Sequence, residues 1–440
     1  MDALLIQGAL LTDPAASVDA ARDVLVASGR VALVAERITP QEAAELAGAA
    51  DGLDLLDARG LWLWPGLVDA HVHFREPGYE AKETIRTGSL AAAAGGYTSV
   101  ICEPNTQPPT DSPERARDLV RRADAEAVVH VYFKAAMTAG RLGRQPSDAA
   151  ALAREPRVVA LSDDGDPVAD AAVMDAVCRA AAAAGIIITP HCEDSARALL
   201  MMAEGCSPGF VPGRPYANEA GWVERDVRAA GRAGCRIHVS HVSLAHSVDL
   251  IERYRRGRTG VTYEVAPHHL LLSADDYEDG EAPMVNPPLR AASDRRALCE
   301  ALESGSADVV ASDHAPHTAE DKSHGASGLI GLETTLGLVL TQFVADGRLS
   351  RERAVRVMSL RPAEIFGLPA GTLRPGSPAD MVLIDPAREW TVDPQEFRSR
   401  SRNCPYAGWR LRGKALATWV AGREAFADDG LSRRKGRWRG

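Results

Sequence analysis

Two histidines, His71 and His73, stand two residues apart at the end of an apolar run, and an arginine and a Pro-Gly turn follow them. Because side chains at positions i and i+2 of a β-strand point to the same face, the two imidazoles would lie side by side where the strand ends. Neutral imidazole is a common ligand of zinc and of neighbouring transition metals. Two histidines packed at a strand end would give the same pattern, so the metal hypothesis requires further ligands elsewhere.

Short β-rich runs alternate with helical stretches rich in Ala, Arg and Glu from residue 66 to about residue 315. This alternation favours parallel strands that are connected by helices. Eight βα units over about 250 residues have the size of a (β/α)8 TIM-like barrel. The predicted fold class is therefore α/β, and the predicted strands are residues 66–71, 98–102, 128–133, 158–161, 186–189, 237–241, 261–265 and 309–312.

Histidine or aspartate follows most of these predicted strands. In a barrel of parallel strands the carboxyl ends converge on one face, so these side chains would meet although they are far apart in sequence. Four histidines and two carboxylates exceed the ligands of one tetrahedral zinc and suit a pair of divalent metals, which activate water and polarise a carbonyl, as amide hydrolysis requires. The candidate metal ligands are His71, His73, Asp164, His191, His241 and Asp313.

Asp313 and Arg75 offer chemistry beyond metal ligation. A carboxylate at the end of the last strand could also carry a proton to a leaving nitrogen, whereas an aspartate near proline is commonly a turn or capping residue. The guanidinium of Arg75 suits a substrate carboxylate, but it could also form a surface salt bridge with Glu76. Asn105 and Asn286 could hydrogen-bond the same substrate or belong to ordinary turns.

Other histidines have weaker patterns. His238 alternates with His241 along its predicted strand, so it is predicted to face outward, toward the helices. His268 and His269 could orient metal ligands or simply pack at a strand end. The sequence contains no phosphate-binding glycine-rich loop, no nucleophile elbow and no nucleotide fingerprint.

Both ends of the chain contain β-type patterns outside the predicted barrel. Short apolar or alternating runs occupy residues 1–62, a turn followed by a strand pattern occupies residues 371–385, and a strand pattern followed by a turn occupies residues 415–423. Because two or three short strands are marginal alone, the two ends are predicted to form one small β-sandwich beside the barrel. The predicted domains are residues 1–62 with 368–440 for the sandwich and residues 63–367 for the barrel.

Composition and charge narrow the class of protein. The 440 residues are 45% hydrophobic and 25% charged, and the net charge of -10 gives no general attraction to nucleic acid. The seven cysteines are scattered and odd in number, which argues against a disulfide framework and favours reduced thiols in the cytoplasm. No apolar run approaches the length of about 18 residues that a membrane span needs, and no secretory pattern opens the sequence, so neither secretion nor a membrane location is expected.

Six motifs together resemble the amidohydrolase superfamily and, within it, the bacterial class I dihydroorotases. The resemblance extends over nearly the whole chain, including the split β domain. The motifs are Gly66-Leu67-Val68-Asp69-Ala70-His71-Val72-His73-Phe74-Arg75-Glu76-Pro77-Gly78, Glu103-Pro104-Asn105-Thr106, Ser162-Asp163-Asp164-Gly165, Val285-Asn286-Pro287-Pro288-Leu289-Arg290, Asp313-His314-Ala315-Pro316-His317 and Gly331-Leu332-Glu333-Thr334.

The resemblance implies a binuclear zinc site with two Zn2+ per subunit. One ion would be held by His71 and His73 and the other by His191 and His241, with Asp164 and a hydroxide between them. Asp313 would be both a metal ligand and the catalytic acid and base. The substrate-binding residues implied by the resemblance are His73, Arg75, Asn105, Asn286, His317, Ser327 and Gly328.

Two departures bear on this resemblance. Many related cyclic amidohydrolases bridge their metals with a carboxylated lysine, but here the equivalent position is Asp-Asp-Gly, and Lys134 lies one strand too early. Asp163 and Asp164 are both available as the bridge, and the spacing to the next histidine favours Asp164. The loop at residues 322–330 is shorter than in the family, and Ser327 stands where an aromatic residue is usual.

The resemblance implies a cytoplasmic enzyme of de novo pyrimidine biosynthesis that interconverts L-dihydroorotate and N-carbamoyl-L-aspartate. One alternative is a hydantoinase- or allantoinase-like enzyme acting on an uncharged ring, against which Arg75 and Asn105 argue. Another is an inactive scaffold subunit, which should have lost metal ligands. A homodimer and association with aspartate transcarbamoylase are further expectations that the residues themselves do not fix.

Overall fold

The computed structural model describes residues 3–49, 52–193, 219–256, 260–278 and 281–438. Its N-terminal part supplies strands of a mixed sheet: β1 (Ala3–Asp13), β2 (Val18–Ala27), β3 (Arg30–Ala35), β4 (Leu53–Asp57) and β5 (Trp62–Pro65). A helix at Pro40–Ala47 lies between β3 and β4, begins with a capping box at Thr39, and ends at Gly48 in the left-handed conformation.

Eight parallel strands then form a near-closed barrel, in which each strand pairs with the next one along the chain. The sheet closes where the His73 amide donates to the His314 carbonyl at 2.9 Å, and where the Asp69 carboxylate accepts from the Ser312 amide at 3.2 Å. The barrel strands are β6 (Leu67–Val72), β7 (Tyr97–Cys102), β8 (His130–Ala136), β9 (Val158–Ser162), β10 (Ile187–Ile188), β11 (Ile237–Val239), β12 (Val261–Val265) and β13 (Val309–Val310).

Helices cover the outside of the barrel, and local signals set their ends. The helix Pro113–Glu126 begins with Ser112 as N-cap and Pro113 in its first turn. The helix Ala171–Ala184 is capped by Asp170 and ends at Gly185, whose φ of 71° suits glycine. The other described α-helices of this part of the chain are Ile85–Ala94, Ala149–Leu152, Glu219–Ala233, Ala245–Arg255, Pro267–Leu271, Ala292–Ser304, Ala319–Ser323, Thr335–Val339, Arg351–Val355 and Arg361–Phe366.

The C-terminal strands join the same mixed sheet as the N-terminal ones. They are β14 (Met381–Thr391), β15 (Arg410–Val420), β16 (Arg423–Ala427) and β17 (Lys435–Trp438). The strand β14 pairs with β5, and β17 pairs with β4, so both chain ends are hydrogen-bonded into one nine-stranded sheet. Val31 near one edge of the sheet and Leu416 near the other belong to one buried cluster, so the sheet curls around a core of its own.

The barrel has separate outer and inner cores. Ile237 and Val239 pack outward with the surrounding helices. Val68 of β6 and Ile187 of β10 come from opposite sides of the barrel and meet, together with Ile101, inside it. Their cluster includes Phe366, so the last barrel helix closes one end of the interior.

The α/β fold class predicted from the sequence is confirmed as a near-closed eight-stranded parallel barrel beside a separate mixed sheet. All eight predicted barrel strands are present, with ends that differ from the predictions by a few residues. The proposed domain boundaries at residues 62/63 and 367/368 stay a prediction. Within the described ranges, no helix combines the length and apolar character needed to cross a membrane.

Candidate metal centre and active site

The six predicted metal ligands meet at the carboxyl end of the barrel. His71 lies in β6 and His73 directly after it, while Asp164, His191 and His241 follow β9, β10 and β11. Asp313 follows β13 and completes the set. All six are buried. The alternation of strands and helices therefore brings together side chains that the sequence places far apart.

The Asp164 carboxylate lies between two pairs of histidines. Its Oδ1 is 3.4 Å from Nε2 of His71 and 3.4 Å from Nε2 of His241. The same oxygen is 3.5 Å from Nδ1 of His191, and Oδ2 is 3.6 Å from Nε2 of His73. The described residues thus contain two clusters able to hold a metal ion, one with His71 and His73 and one with His191 and His241, and Asp164 belongs to both.

The chemistry of this donor set fits metal ions. Nε2 of His71 is buried and has no hydrogen-bond partner within the described part of the chain, although it faces the carboxylates of Asp164 and Asp313. Nδ1 of His191 and Nε2 of His241 lie only 3.0 Å apart. Converging imidazole nitrogens around a shared carboxylate are the arrangement that zinc and similar divalent ions require.

Of the two adjacent aspartates, only Asp164 is placed between the histidine pairs. The Asp163 carboxylate turns away and accepts hydrogen bonds from the backbone amide of Thr138 at 3.2 Å and from its hydroxyl. Burial raises the pKa of Asp163 to about 6. By geometry, Asp164 is the candidate bridging carboxylate.

Charge in the cluster keeps the acidic groups ionised. Burial alone would raise the pKa of Asp164, but His71, His191 and His241 hold it well below its usual range. Burial likewise opposes ionisation of Asp313, and His73 with the other imidazoles lowers its pKa. Both groups are therefore carboxylates, the form in which they ligate a cation or accept a proton.

Asp313 touches the metal-ligand cluster from the barrel's closing edge. Its Oδ1 is 3.4 Å from Nε2 of His73 and 3.7 Å from Nε2 of His71, and its Oδ2 is 3.8 Å from Nε2 of His268. The backbone at Asp313 has a φ of 49°, while Arg75 and His241 have φ values of 56° and 32°. Non-glycine residues rarely adopt this conformation, and they concentrate at functional sites.

Sequence reasoning missed a buried polar layer that lies inside the barrel beneath the metal-ligand cluster. Glu264 Oε1 lies 2.7 Å from His71 Nδ1, and Glu264 Oε2 lies 3.0 Å from His238 Nε2. A carboxylate at the far nitrogen of a ligating imidazole fixes the orientation of its ring. The layer consists of Glu103, Lys134, His238, Thr262 and Glu264. The sequence signal that could have revealed it is a charged residue within an otherwise apolar strand, as in β8 and β12.

The prediction that His238 faces outward is wrong. Its ring lies inside the barrel, edge-on to Phe366 at 5.4 Å, and its Nδ1 is 2.8 Å from the Thr262 hydroxyl. Ile237 and Val239 take the outward positions. The prediction failed because the positive φ at His241 breaks the strand alternation, so that both histidines turn inward.

Lys134 is fully buried and forms an ion pair with Glu103, whose Oε1 is also 3.5 Å from Nε2 of His71. The lysine lies near Phe366, with Nζ 5.9 Å from the ring centre. Lys134 is therefore part of the layer under the cluster. The Lys134 ammonium group, held by Glu103, is therefore a fixed positive charge beside the carboxylates of the metal-ligand cluster.

Arg75 and His317 meet at one side of the cluster. A guanidinium nitrogen of Arg75 lies 3.2 Å from Nε2 of His317, and its Nε donates to the Pro316 carbonyl at 3.2 Å. Burial lowers the pKa of Arg75 to about 10, so its side chain stays cationic. Lys82, which the sequence did not single out, has Nζ 3.5 Å from Nδ1 of His317. This corner offers positive charge and hydrogen-bond donors to an anion.

The two predicted asparagines contact the metal-ligand cluster directly. Asn105 Oδ1 is 3.0 Å from His73 Nδ1, and its Nδ2 donates to Asp164 Oδ2 at 3.1 Å. Asn286 Nδ2 lies 2.9 Å from His191 Nε2. Both side chains therefore touch the candidate metal ligands.

The loop at residues 322–330 is held by Lys322. Its ammonium group donates to the backbone carbonyls of Met284, Ala326 and Gly328 at 3.3, 2.7 and 3.0 Å. Gly328 has a φ of 140°, and a Cβ there would lie 2.8 Å from the Ala315 carbonyl oxygen. Gly328 thus lies against the segment that carries His317, and Ser327 adjoins it.

Comparison with known proteins fits this geometry. A model described as the amidohydrolase family matches residues 62–425. A dihydroorotase of Syntrophus aciditrophicus (strain SB) is 39% identical over 434 residues, which cover 97% of this chain and 100% of that protein. A dihydroorotase of Pelotomaculum thermopropionicum is 40% identical over 435 residues, which cover 97% and 99%. The solved structure of an L-hydantoinase (dihydropyrimidinase) from Arthrobacter aurescens has a TM-score of 0.82 at 28% identity and covers 97% of this chain and 99% of that chain.

The fold and the site define a hydrolase with a parallel β-barrel whose strand ends carry clusters of side chains able to hold metal ions. The chain belongs to the amidohydrolase family, and within it to the group that includes the dihydroorotases it resembles at about 40% identity over nearly their full length. The family resemblance inferred from the six sequence motifs is confirmed.

Proposed function

We propose that this chain is a dihydroorotase, which reversibly hydrolyses the cyclic amide of L-dihydroorotate to N-carbamoyl-L-aspartate in de novo pyrimidine biosynthesis. The observation that carries the proposal is the Asp164 carboxylate shared by two histidine pairs, with the cationic Arg75 close enough for its charge, after burial, to lower the pKa of His73. An amide carbonyl and a carboxylate on one small ring would match these two features. The relatives named dihydroorotase support the same substrate.

The cofactor proposed is a pair of Zn2+ ions. One ion would be held by His71 and His73, and the other by His191 and His241. Asp164 would be a ligand of both ions. When bound, such ions supply activated water at neutral pH and polarise the amide carbonyl. The buried Glu264 would hold the His71 ring in the orientation that ligation needs.

Asp313 is proposed as the proton carrier. It is ionised at the start because the surrounding imidazoles lower its pKa, so it can accept the proton of the attacking water. As the carbon–nitrogen bond breaks, the same proton passes from Asp313 to the ring nitrogen. Ring closure uses these steps in reverse, with the carboxylate returning to its starting state.

Arg75 and His317 are proposed to receive the substrate carboxylate, with Asn105, Asn286, Ser327 and Gly328 beside the ring. His317 would act as a neutral hydrogen-bonding group, because burial and the nearby Arg75 lower its pKa to about 3. The charge that pairs with the substrate then comes from Arg75.

Turnover of dihydroorotate, hydantoin and allantoin by one zinc-loaded preparation tests the proposed substrate. We expect turnover of dihydroorotate alone. The likeness to the solved L-hydantoinase makes an uncharged ring the second candidate, and preferential turnover of hydantoin or allantoin would establish it. A preparation that binds metal but turns over none of the three rings would favour the scaffold alternative.

A homodimer and association with aspartate transcarbamoylase complete the proposal. Sedimentation of the chain alone, and of the chain mixed with aspartate transcarbamoylase, tests both. A chain that sediments as a monomer in both samples would contradict them.

A further inference from the structure

A segment far along the chain reaches the corner where Arg75 and His317 meet. Residues 398–403, here called the strap, belong to the connection between β14 and β15. The strap hydrogen-bonds to Glu333 and to two loops of the site: the Arg75 loop, residues 75–84, and the His317 loop, residues 314–330. Neither loop neighbours the strap in sequence.

The first half of the strap holds the Arg75 loop. Glu83 is fully buried and accepts hydrogen bonds from the Ser399 hydroxyl and from the backbone amide of Arg400 at 3.2 Å. The Ser401 hydroxyl donates to the Lys82 carbonyl at 2.9 Å. The Arg75 loop is therefore fixed to the strap over several consecutive residues.

The end of the strap holds the His317 loop through one side chain. The Asn403 amide donates to the carbonyls of Ala315 and Gly328 at 3.1 and 3.0 Å. Its oxygen accepts from the backbone amide of His317 at 3.4 Å. The Asn403 carbonyl also accepts from the amide of Ile330 at 3.1 Å. One amide thus joins the two sides of the His317 loop.

We propose that Asn403 is a positioning residue that sets the spacing of Arg75 and His317 for a substrate carboxylate. The inference rests on the proposed function of these two residues. The strap holds both loops that carry the 3.2 Å contact between Arg75 and His317. The metal ligands stand at the strand ends and are held from below by the buried polar layer. Loss of Asn403 should consequently weaken substrate binding and spare metal binding.

The test is Asn403→Ala, assayed for KM, kcat and metal content with dihydroorotate. We expect KM to rise about tenfold, because the change leaves three backbone groups of the His317 loop without their partner. The kcat and the metal content should stay near those of the unchanged protein. Asn403→Asp is nearly isosteric, so it provides a second variant if the alanine protein folds poorly. It keeps the acceptor oxygen but loses both donors, and its KM should rise as well.

Gln395→Ala is the matched control, because it removes an exposed amide from the same connection between β14 and β15. Its KM should not change. A KM within twofold of normal for both Asn403 variants would overturn the inference. A parallel fall of kcat and metal content with KM would also overturn it, since it would mean that Asn403 supports the whole site.

Binding of orotate, a planar ring carboxylate, separates this inference from the proposed function. If the unchanged protein fails to turn over dihydroorotate, the proposed function fails by itself. Calorimetry then still compares orotate affinity between the unchanged protein and Asn403→Ala. Weaker binding by the variant supports the positioning role, and equal binding, or none by either protein, contradicts it.

Discussion

The metal-ligand cluster and the Arg75–His317 corner lie side by side but are supported in different ways. The cluster stands on strand ends, and the buried polar layer inside the barrel supports it from below, as when Glu264 contacts His71 at 2.7 Å. The corner stands on loops, and the strap supports it through Asn403 and Ser399. Strand ends are fixed by the whole sheet, whereas loops depend on a few specific hydrogen bonds.

This difference predicts that the two regions fail separately. Damage to the cluster or its layer should appear in kcat and metal affinity. Damage to the corner or the strap should appear in KM for a carboxylate substrate. Variants that change both sets of parameters together would remove the distinction.

The largest effect is expected for Asp313→Asn. The amide cannot carry the proton, so kcat should fall about 1,000-fold, within the range typical for a lost acid–base group. Zinc content should remain near normal, because the four histidines and Asp164 are retained. Asp163→Asn is the matched control, since an amide can still pair with Thr138, and it should keep most of the turnover. Near-normal kcat in Asp313→Asn would remove Asp313 from the mechanism.

The next effect concerns the layer beneath the cluster. Glu264→Gln removes the negative charge that orients His71, and zinc affinity should fall by about 10- to 100-fold. Competition with a chelator measures the affinity without reference to turnover. Glu45→Gln, on an exposed helix position, serves as the control. If Glu264→Gln binds zinc as tightly as the unchanged protein, the layer does not support the metal ligands.

Arg75→Ala probes the corner. Loss of a charged hydrogen-bonding partner should raise KM for dihydroorotate by about 10- to 100-fold, with zinc content unchanged. Steady-state kinetics on zinc-loaded protein measures the change. Arg75→Lys keeps the charge but loses the bidentate geometry of the guanidinium. Its KM should lie between that of the unchanged protein and that of Arg75→Ala. A KM that stays the same would mean that the substrate carboxylate binds elsewhere.

The smallest effect is expected from pH. Burial, Arg75 and Lys82 lower the pKa of His317 to about 3, below the ordinary histidine value of 6.5. The unfolded chain therefore binds more protons at this residue, so the stabilising contribution of neutral His317 is complete above pH 6.5 and is lost as pH falls toward 3. Imidazole NMR signals of His317 should not titrate between about pH 5 and 8. A titration in that window would show that His317 carries charge in the corner.

The strand-end ligands could be predicted from sequence because a parallel barrel turns a regular pattern into a spatial cluster. His71, Asp164 and His241 needed only the alternation of strands and helices. The supporting residues were not predictable in this way. The contact between Asn403 and His317 joins residues 86 positions apart, and that between Ser399 and Glu83 joins residues 316 apart. Such contacts depend on how loops from separate elements lie over the barrel, and no local pattern encodes them.

The direction of a side chain near a backbone irregularity was also beyond sequence reasoning. Simple alternation along the strand predicts that His238 faces outward. The positive φ at His241 breaks this alternation, so His238 and His241 both face the inside of the barrel. The same applies to Asp313, whose φ of 49° turns its carboxylate toward His73. Residues in such strained backbone conformations are held there by the packing of the surrounding structure, which depends on the whole fold.

The most direct test of whether two histidine pairs share Asp164 around a pair of ions is a zinc titration of the metal-free chain. Bound zinc and dihydroorotate turnover are followed on the same sample. Turnover is expected to reach its maximum when two zinc ions are bound per chain. Full turnover with one ion or none, or a chain that binds no zinc, would contradict the shared site.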